Sequence, residues 1–439
     1  MRKLIIGGLS IVLMLSLMGC GGNNVNKVET IDIIGLQISD ARLLVNGEYL
    51  LNQVSLPTSE FLPGVVISYG AGISVGDLVE EGAQIDVVVA GNPENSKSLS
   101  SMVEYTSEIG FITGPDSPNF DLLKDAGVGG CDLGIPVQVG DEMILLYGDT
   151  FSGVGSFSGL WFSNYMARSS DYTLSDGLTF SSVVTNQSGM ALPFMQGQHN
   201  LNVSDEESSD MTREVTKIPT GGITIGDTVY IFYMSVRYWV GWLVSYNQVV
   251  KASVDDLTHF EEVSGLSWSE SEAPNFGQIY PVKDPNSDYI YLFSIPGGRS
   301  GGTVLSRVHE SNFENRDEYE YYTAKNTWVK GNPGLQSLKN DPYYIISPAC
   351  SELSVMYNNY LDKWMVVYLK NSSIIFQTAD TLTSSWSTPE ILVSLSDYPG
   401  LYGGFVHQKY TEYDGKKFYM VISRWLPIYQ TELIEVVLK

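Results

Sequence analysis

Two acidic residues seventeen positions apart in one predicted hairpin carry the chemistry this chain can offer. The stretch DLGIPVQV (132–139) is followed by Gly140-Asp141 and then by EMILLYGD (142–149). Gly-Asp suits a two-residue turn of the II′ type. With that turn Val139 faces Glu142, and the pairing runs back until Asp132 faces Asp149. Side chains opposed in that way hold their Cβ atoms about 5 Å apart. Two carboxyls at that distance cannot ionise equally, so one keeps its proton to higher pH. A protonated and an ionised carboxyl side by side are what cleavage of a glycosidic bond needs, and the short separation suits a retaining enzyme. The alternative is that Asp149 caps the loop before Thr150 and Asp132 bonds backbone at the strand start.

The hairpin is one copy of a recurring phrase, in which a turn pair precedes a strand of aromatic and β-branched residues. It occurs as GDEMILLYGD (140–149), GDTVYIFYMS (226–235), NSDYIYLFSI (286–295), LDKWMVVYLK (361–370) and DGKKFYMVIS (414–423). Each copy follows an apolar strand and precedes a third, such as NQVVKASVDD or TELIEVVL. Units of about 65 residues, each of a few short strands, predict a five-bladed β-propeller over 113–439. In that architecture the start of the inner strand and the end of the second strand share one rim with Asp132 and Asp149. The same rim should receive Glu214, Asn275, Gln278, Glu352, Tyr402 and His407. Trp161, Trp239, Trp242 and Trp425 fall in loops after second strands, where flat indole faces suit sugar rings. Trp364 reads as core, and Trp268, Trp328 and Trp386 as packing near outer strands.

Composition narrows the partners. The formal net charge of −25 repels phosphate backbones, so nucleic acid is excluded as a partner. Four His residues without paired Cys/His spacing give no zinc site, and no EF-hand series is present, so neither metal nor cofactor is expected. PGGRSGG (296–302) lacks the Gly-Lys-Ser/Thr ending of a phosphate loop and reads as a flexible rim loop. Asp205–Asp210 reads as a solvated loop. Cys131 and Cys350 are expected to be small buried residues rather than a disulfide scaffold, although an exported location would permit one bridge.

The N-terminus addresses the chain. Arg2 and Lys3 precede an apolar run from Leu4 to Met18, which is too short for the ~20 residues of a spanning helix. The following Gly19-Cys20 resembles the lipobox of bacterial lipoproteins. That likeness implies a signal peptide over 1–19, lipid on Cys20, and a protein held outside the cytoplasmic membrane by that lipid. Residues 20–29 read as a tether and 92–112 as a linker. Between them, 30–91 gives a short helix after Ser39 and two apolar strands, Val65–Ser68 and Ile85–Val89, with glycine turns. Ile34-Gly35, Ala41 and the turn before Glu80-Glu81-Gly82 resemble the PASTA module of bacterial wall proteins, which implies a wall-associated or spacer role for this small α+β domain.

Five separated segments carry a wider likeness: CDLGIP (131–136), GDTF (148–151), EVTKIPTG (214–221), NFGQ (275–278) and ELSVMYN (352–358). In this order they resemble the domain of unknown function numbered 4185, from about Gly114 to the C-terminus. The resemblance implies a mainly β, five-bladed propeller. Some members are classified in glycoside hydrolase family 183, with endo-acting cleavage of D-arabinan, which implies a catalytic pair at Asp132 and Asp149 and a polysaccharide or wall-glycan substrate. The expected protein is a monomeric, lipid-anchored glycoside hydrolase. The alternative is a surface lipoprotein that binds glycan through the same rim without cutting it.

Overall fold

The computed structural model describes residues 26–36, 38–45, 48–57, 65–70, 73–91, 102–201, 209–239 and 241–439. The signal segment 1–19, Cys20, the first part of the tether, most of the acidic loop and 92–101 of the linker lie outside them. The chain divides into two compact units, Met1–Gly91 and Asn92–Lys439. Among the described residues no helix is long and apolar enough to cross a membrane.

The first unit is α+β. Helix Ile38–Val45 buries Ile38, Ala41 and Val45, which the 3.6-residue period places on one face. They join Ile85, Val87 and Val89, the alternate residues of the central strand Gln84–Gly91. That strand pairs in parallel with Leu50–Pro57 and antiparallel with Val66–Tyr69. Lys27–Glu29, read from sequence as tether, forms a two-stranded ribbon with Leu78–Glu80.

The second unit is a five-bladed propeller. The inner strands of the blades are Leu133–Val139, Thr216–Ile225, Gln278–Lys283, Ser351–Asn358 and Leu401–Glu412, in that order. Each begins a sheet of four antiparallel strands, extended to five in the third blade. Each inner strand touches the next, and the fifth touches the first, so the ring closes. The alternation that builds a blade is visible in the first one. Met143, Leu145 and Tyr147 of its second strand enter one apolar cluster, while Ile144 and Leu146 enter the other. Both faces are covered by neighbouring blades, so the strand is apolar throughout rather than alternating with polar residues.

Closure uses a segment that the sequence reading placed in a linker. Val103–Phe111 pairs with Gln430–Leu438 and supplies the outer strand of the fifth blade. Only Val103 in it is fully buried, Glu104, Tyr105 and Glu108 are exposed and the rest are half-buried, so no apolar run or alternation marked it. The strand ties the beginning of the propeller to its end and covers an edge that would otherwise be open to other chains. Cys131 and Cys350 are both buried and unbridged. Trp268 and Trp364 are core, while Trp328 and Trp386 pack half-buried at its margin.

Candidate active site

Antiparallel pairing brings the start of each inner strand to the end of the second: Leu133 faces Tyr147, Thr216 faces Val236, Gln278 faces Ile295, Ser351 faces Leu369 and Leu401 faces Arg424. These ends share one rim of the ring. In four of the five blades the inner strand also slips register, between Leu133 and Ile135, Pro219 and Gly221, Ser351 and Ser354, and Tyr402 and Phe405. Such bulges re-aim side chains next to functional sites.

The first bulge corrects the facing pair expected from the turn. Val139 pairs with Glu142 as the II′ turn requires, and the register holds to Ile135 with Leu146. Leu133 then takes φ +70° and Gly134 φ +71°. Gly134 drops out of the ladder, and Asp132 comes to face Gly148, whose N–H donates to the Asp132 carbonyl at 3.2 Å. The slip removes the sequence basis for a retaining outcome. The bulge is held by Ser423 Oγ, which accepts from the Leu133 N–H at 2.8 Å. A non-glycine residue at this φ is strained, and such strain gathers at functional sites.

Both carboxyls are nevertheless buried, and near enough for the charge of Asp132 to act on Asp149. Asp132 Oδ2 accepts the Tyr402 hydroxyl at 2.7 Å. Its Oδ1 is buried and receives no hydrogen bond of ordinary geometry, although the nearby Tyr429 hydroxyl helps hold the charge. A Cβ on Gly148 would stand 2.5 Å from that same oxygen, so any larger residue there would push the Asp132 carboxyl aside. Asp149 Oδ1 accepts two donors, Thr216 Oγ1 at 2.5 Å and Trp161 Nε1 at 2.8 Å. Burial pushes the Asp132 carboxyl up to about 6; the Tyr402 and Tyr429 hydroxyls pull it back, while the Glu352 charge pushes it further. Burial pushes Asp149 up to about 8, with the Asp132 charge adding to the rise and Thr216 and Trp161 opposing it. At neutral pH Asp149 therefore holds a proton and Asp132 is mostly ionised.

Glu352 enters the mouth from the fourth blade with φ +35°, another strained position. Its Oε1 accepts Arg299 Nε at 2.9 Å and Nη2 at 2.6 Å, and its Oε2 accepts from Ser351 Oγ. The Arg299 guanidinium lies 4.9 Å from the Trp242 ring centre and 5.3 Å from that of Tyr402, within cation–π range. Gln278 Nε2 donates to the Gly298 carbonyl at 2.9 Å and so pins the loop that carries Arg299. Asp132, Glu352, Gln278 and Trp242 line one cavity of about 440 Å³, counting its open mouth.

Other residues expected at the rim bond away from the two carboxyls. Asn275 donates to the Leu338 carbonyl at 2.9 Å and serves packing. Glu214 accepts from Ser235 Oγ at 2.6 Å and Tyr246 at 3.2 Å, between strands of its own blade. His407 lies five residues along the strand from Tyr402, roughly 16 Å at ~3.3 Å per residue; its Nδ1 accepts the Lys409 N–H at 3.1 Å. Trp161 is no sugar platform on the face that His199 covers in parallel, 3.7 Å between ring centres; its indole N–H instead serves Asp149. Trp239 meets Trp242 edge-on at 5.5 Å. Trp425 is 44% exposed, the most open of the rim indoles.

Four contributors were not anticipated: Arg299, Thr216, Tyr429 and His199. Arg299 sits in PGGRSGG, where glycine content suggested only flexibility, yet an arginine alone in a glycine-rich rim loop was a usable signal. Thr216 lies two residues after Glu214 on the strand start already singled out, and period 2 puts both on one face. Tyr429 shares with Trp425 the loop after the second strand of the last blade, so its place on the rim was readable although its hydroxyl was not singled out. Among the described residues no cluster of His, Cys, Asp and Glu is arranged to hold a metal ion.

The fold and the mouth together define a five-bladed propeller with a buried pair of unequal carboxyls. The chain belongs to the family described as Domain of unknown function (DUF4185), whose model matches residues 116–435. No curated protein sequence matches it. Similar solved structures include a putative hydrolase from Bacteroides ovatus, 11% identical, with a TM-score of 0.46, covering 75% of this chain and 87% of that one. An exo-β-1,3-galactanase from Phanerochaete chrysosporium is 12% identical with a TM-score of 0.42, over 70% of this chain and 59% of that one. An arabinanase from Bacillus subtilis is 11% identical with a TM-score of 0.38, over 70% of this chain and 96% of that one.

Proposed function

We propose that the protein is a glycoside hydrolase acting on a polysaccharide, with Asp149 as general acid and Asp132 as general base or nucleophile. The observation that carries this reading is a pair of buried carboxyls at the ends of one hairpin, Asp132 held by Tyr402 at 2.7 Å and Asp149 by Thr216 at 2.5 Å and Trp161 at 2.8 Å, with burial and the Asp132 charge both raising Asp149. Asp149 gives its proton to the glycosidic oxygen as that bond breaks. Asp132 either takes a proton from the attacking water or attacks the anomeric carbon itself. Tyr402 fixes Asp132, and Thr216 with Trp161 fixes Asp149. The Glu352–Arg299 pair sets the field at Asp132 and leaves further guanidinium N–H groups for sugar hydroxyls. Trp242 and Trp425 offer indole surface for sugar rings.

The same proposal covers location. The likeness of Gly19-Cys20 to a lipobox supports a lipid anchor on Cys20, an extracytoplasmic site of action and a PASTA-like spacer between membrane and propeller. The likeness to endo-acting arabinan-cleaving relatives puts arabinan first among substrates. The test is a broad glycan panel digested with the intact propeller, followed by product analysis. New reducing ends on at least one polymer are expected. A polymer retained on a column of the protein but never shortened would replace the enzyme with a glycan-binding lipoprotein.

A further inference from the structure

A second cleft lies between the third and fourth blades, lined by none of the residues of the Asp132–Asp149 mouth. It is about 1290 Å³ counting its open side, several times the room a single sugar needs. Tyr343, Tyr344, Tyr368 and Trp386 line it, and Lys325 and Lys370 stand among its polar residues. Tyr344 is 37% exposed, so its ring is open to a ligand in the cleft. Trp386 packs edge-on against Phe293 at 5.9 Å between ring centres. Its indole Nε1 is shut off from solvent and has no hydrogen-bond partner. No existing bond holds that N–H, so a small turn of the ring lets it donate to a ligand acceptor in the cleft without losing a partner.

The charge of the cleft sets the ligand class. The chain carries 50 acidic against 25 basic residues. Yet the residues lining this cleft include two lysines and no aspartate or glutamate. Tyr368 and Gln377 bond to each other at 2.7 Å and form a fixed polar floor. Aromatic rings, hydroxyl- and amide-bearing neighbours and local positive charge on an otherwise acidic surface suit a sugar that bears a negative charge.

We propose that this cleft is a non-catalytic binding site for an anionic glycan segment, one carrying carboxylate or phosphate. Such a site would hold a charged part of a heterogeneous polymer while the mouth acts elsewhere on it. The experiment uses the full chain with Asp149→Asn, so that binding is read without cleavage. Oligogalacturonates, phosphorylated oligomannosides and neutral galacto-oligosaccharides of matched length are titrated by calorimetry at low and moderate salt. One anionic series should bind at least tenfold tighter than the neutral one, weaken with salt, and identify whether carboxylate or phosphate is preferred. Lys325→Ala with Lys370→Met should reduce that affinity at least tenfold, and Trp386→Phe, which keeps the ring packing, should reduce it several-fold. Equal binding of neutral and anionic series, no binding of any, or full affinity in the lysine variant would overturn the proposal. Each of those outcomes leaves the hydrolase reading standing, because the readout is independent of cleavage.

Discussion

Replacing Thr216 by Val tests the ionisation of Asp149 with little change in shape. The hydroxyl donates to Asp149 Oδ1 at 2.5 Å, and both groups are buried. It is the largest of the influences that hold the Asp149 carboxyl down against its burial. A hydrogen bond to a charged group contributes about 1.5–3 kcal/mol, and one pKa unit is 1.36 kcal/mol. Loss of the bond should therefore raise Asp149 by about one to two units, from about 8 towards 9–10. If Asp149 is the acid, the rate falls as it ionises, so the basic limb of kcat/KM against pH should move up by that amount. The acidic limb, set by Asp132, should stay in place. The assay is the pH profile of wild type and Thr216→Val on the polymer the glycan panel identifies, with a thermal melt at pH 7 to confirm folding. A basic limb that stays still, or moves down, in a folded variant would refute the assignment of Asp149.

Further outcomes follow from the same geometry. Glu352→Gln removes a charge that raises Asp132 and leaves Arg299 without its partner; both changes favour ionised Asp132, so the acidic limb should move below about 6. For stability the sign is opposite to that of a salt-bridged carboxylate. Because the folded pKa of Asp149 lies above its unfolded value, its contribution is greatest in acid and is lost as pH rises from about 4 to about 8. Asp149→Asn escapes that loss, so its advantage over wild type in urea unfolding should grow across this window by several kcal/mol; a difference that does not change with pH would show that the group titrates normally when folded. A chain starting at residue 92 should fold and keep activity, whereas one starting at 112 loses the strand paired with Gln430–Leu438 and should aggregate, as size-exclusion chromatography would show.

The propeller was legible because its repeating unit advertises itself. Five second strands with aromatic and β-branched residues, each after a turn pair, fixed blade number and rim. Asp132, Asp149, Glu352 and Tyr402 were then found by position on that rim. Two kinds of feature escaped. Bulges at Gly134 and near Glu352 change which side chain faces which, and their cause is tertiary: Ser423 Oγ from the neighbouring blade holds the Leu133 N–H. A turn type gives the register only until the first such contact. The other kind is the long-range donor. Thr216 and Tyr429 reach the carboxyls from other blades, and no spacing in the chain announces that meeting. The outer strand Val103–Phe111 was hidden for a third reason, since an edge strand covered on one side needs few apolar residues.

The roles of the two carboxyls separate most directly by leaving group. The measurement is kcat/KM of Asp149→Asn and Asp132→Asn on the natural polymer and on a nitrophenyl glycoside of the same sugar. A nitrophenolate departs without a proton, so it does not need the acid. Asp149→Asn should lose about a thousandfold on the polymer, within the ~10²–10⁴-fold range of acid catalysis, yet keep much of its rate on the aryl substrate. Asp132→Asn should lose both. Full activity of either variant on the polymer, or equal loss on both substrates for Asp149→Asn, would contradict the account.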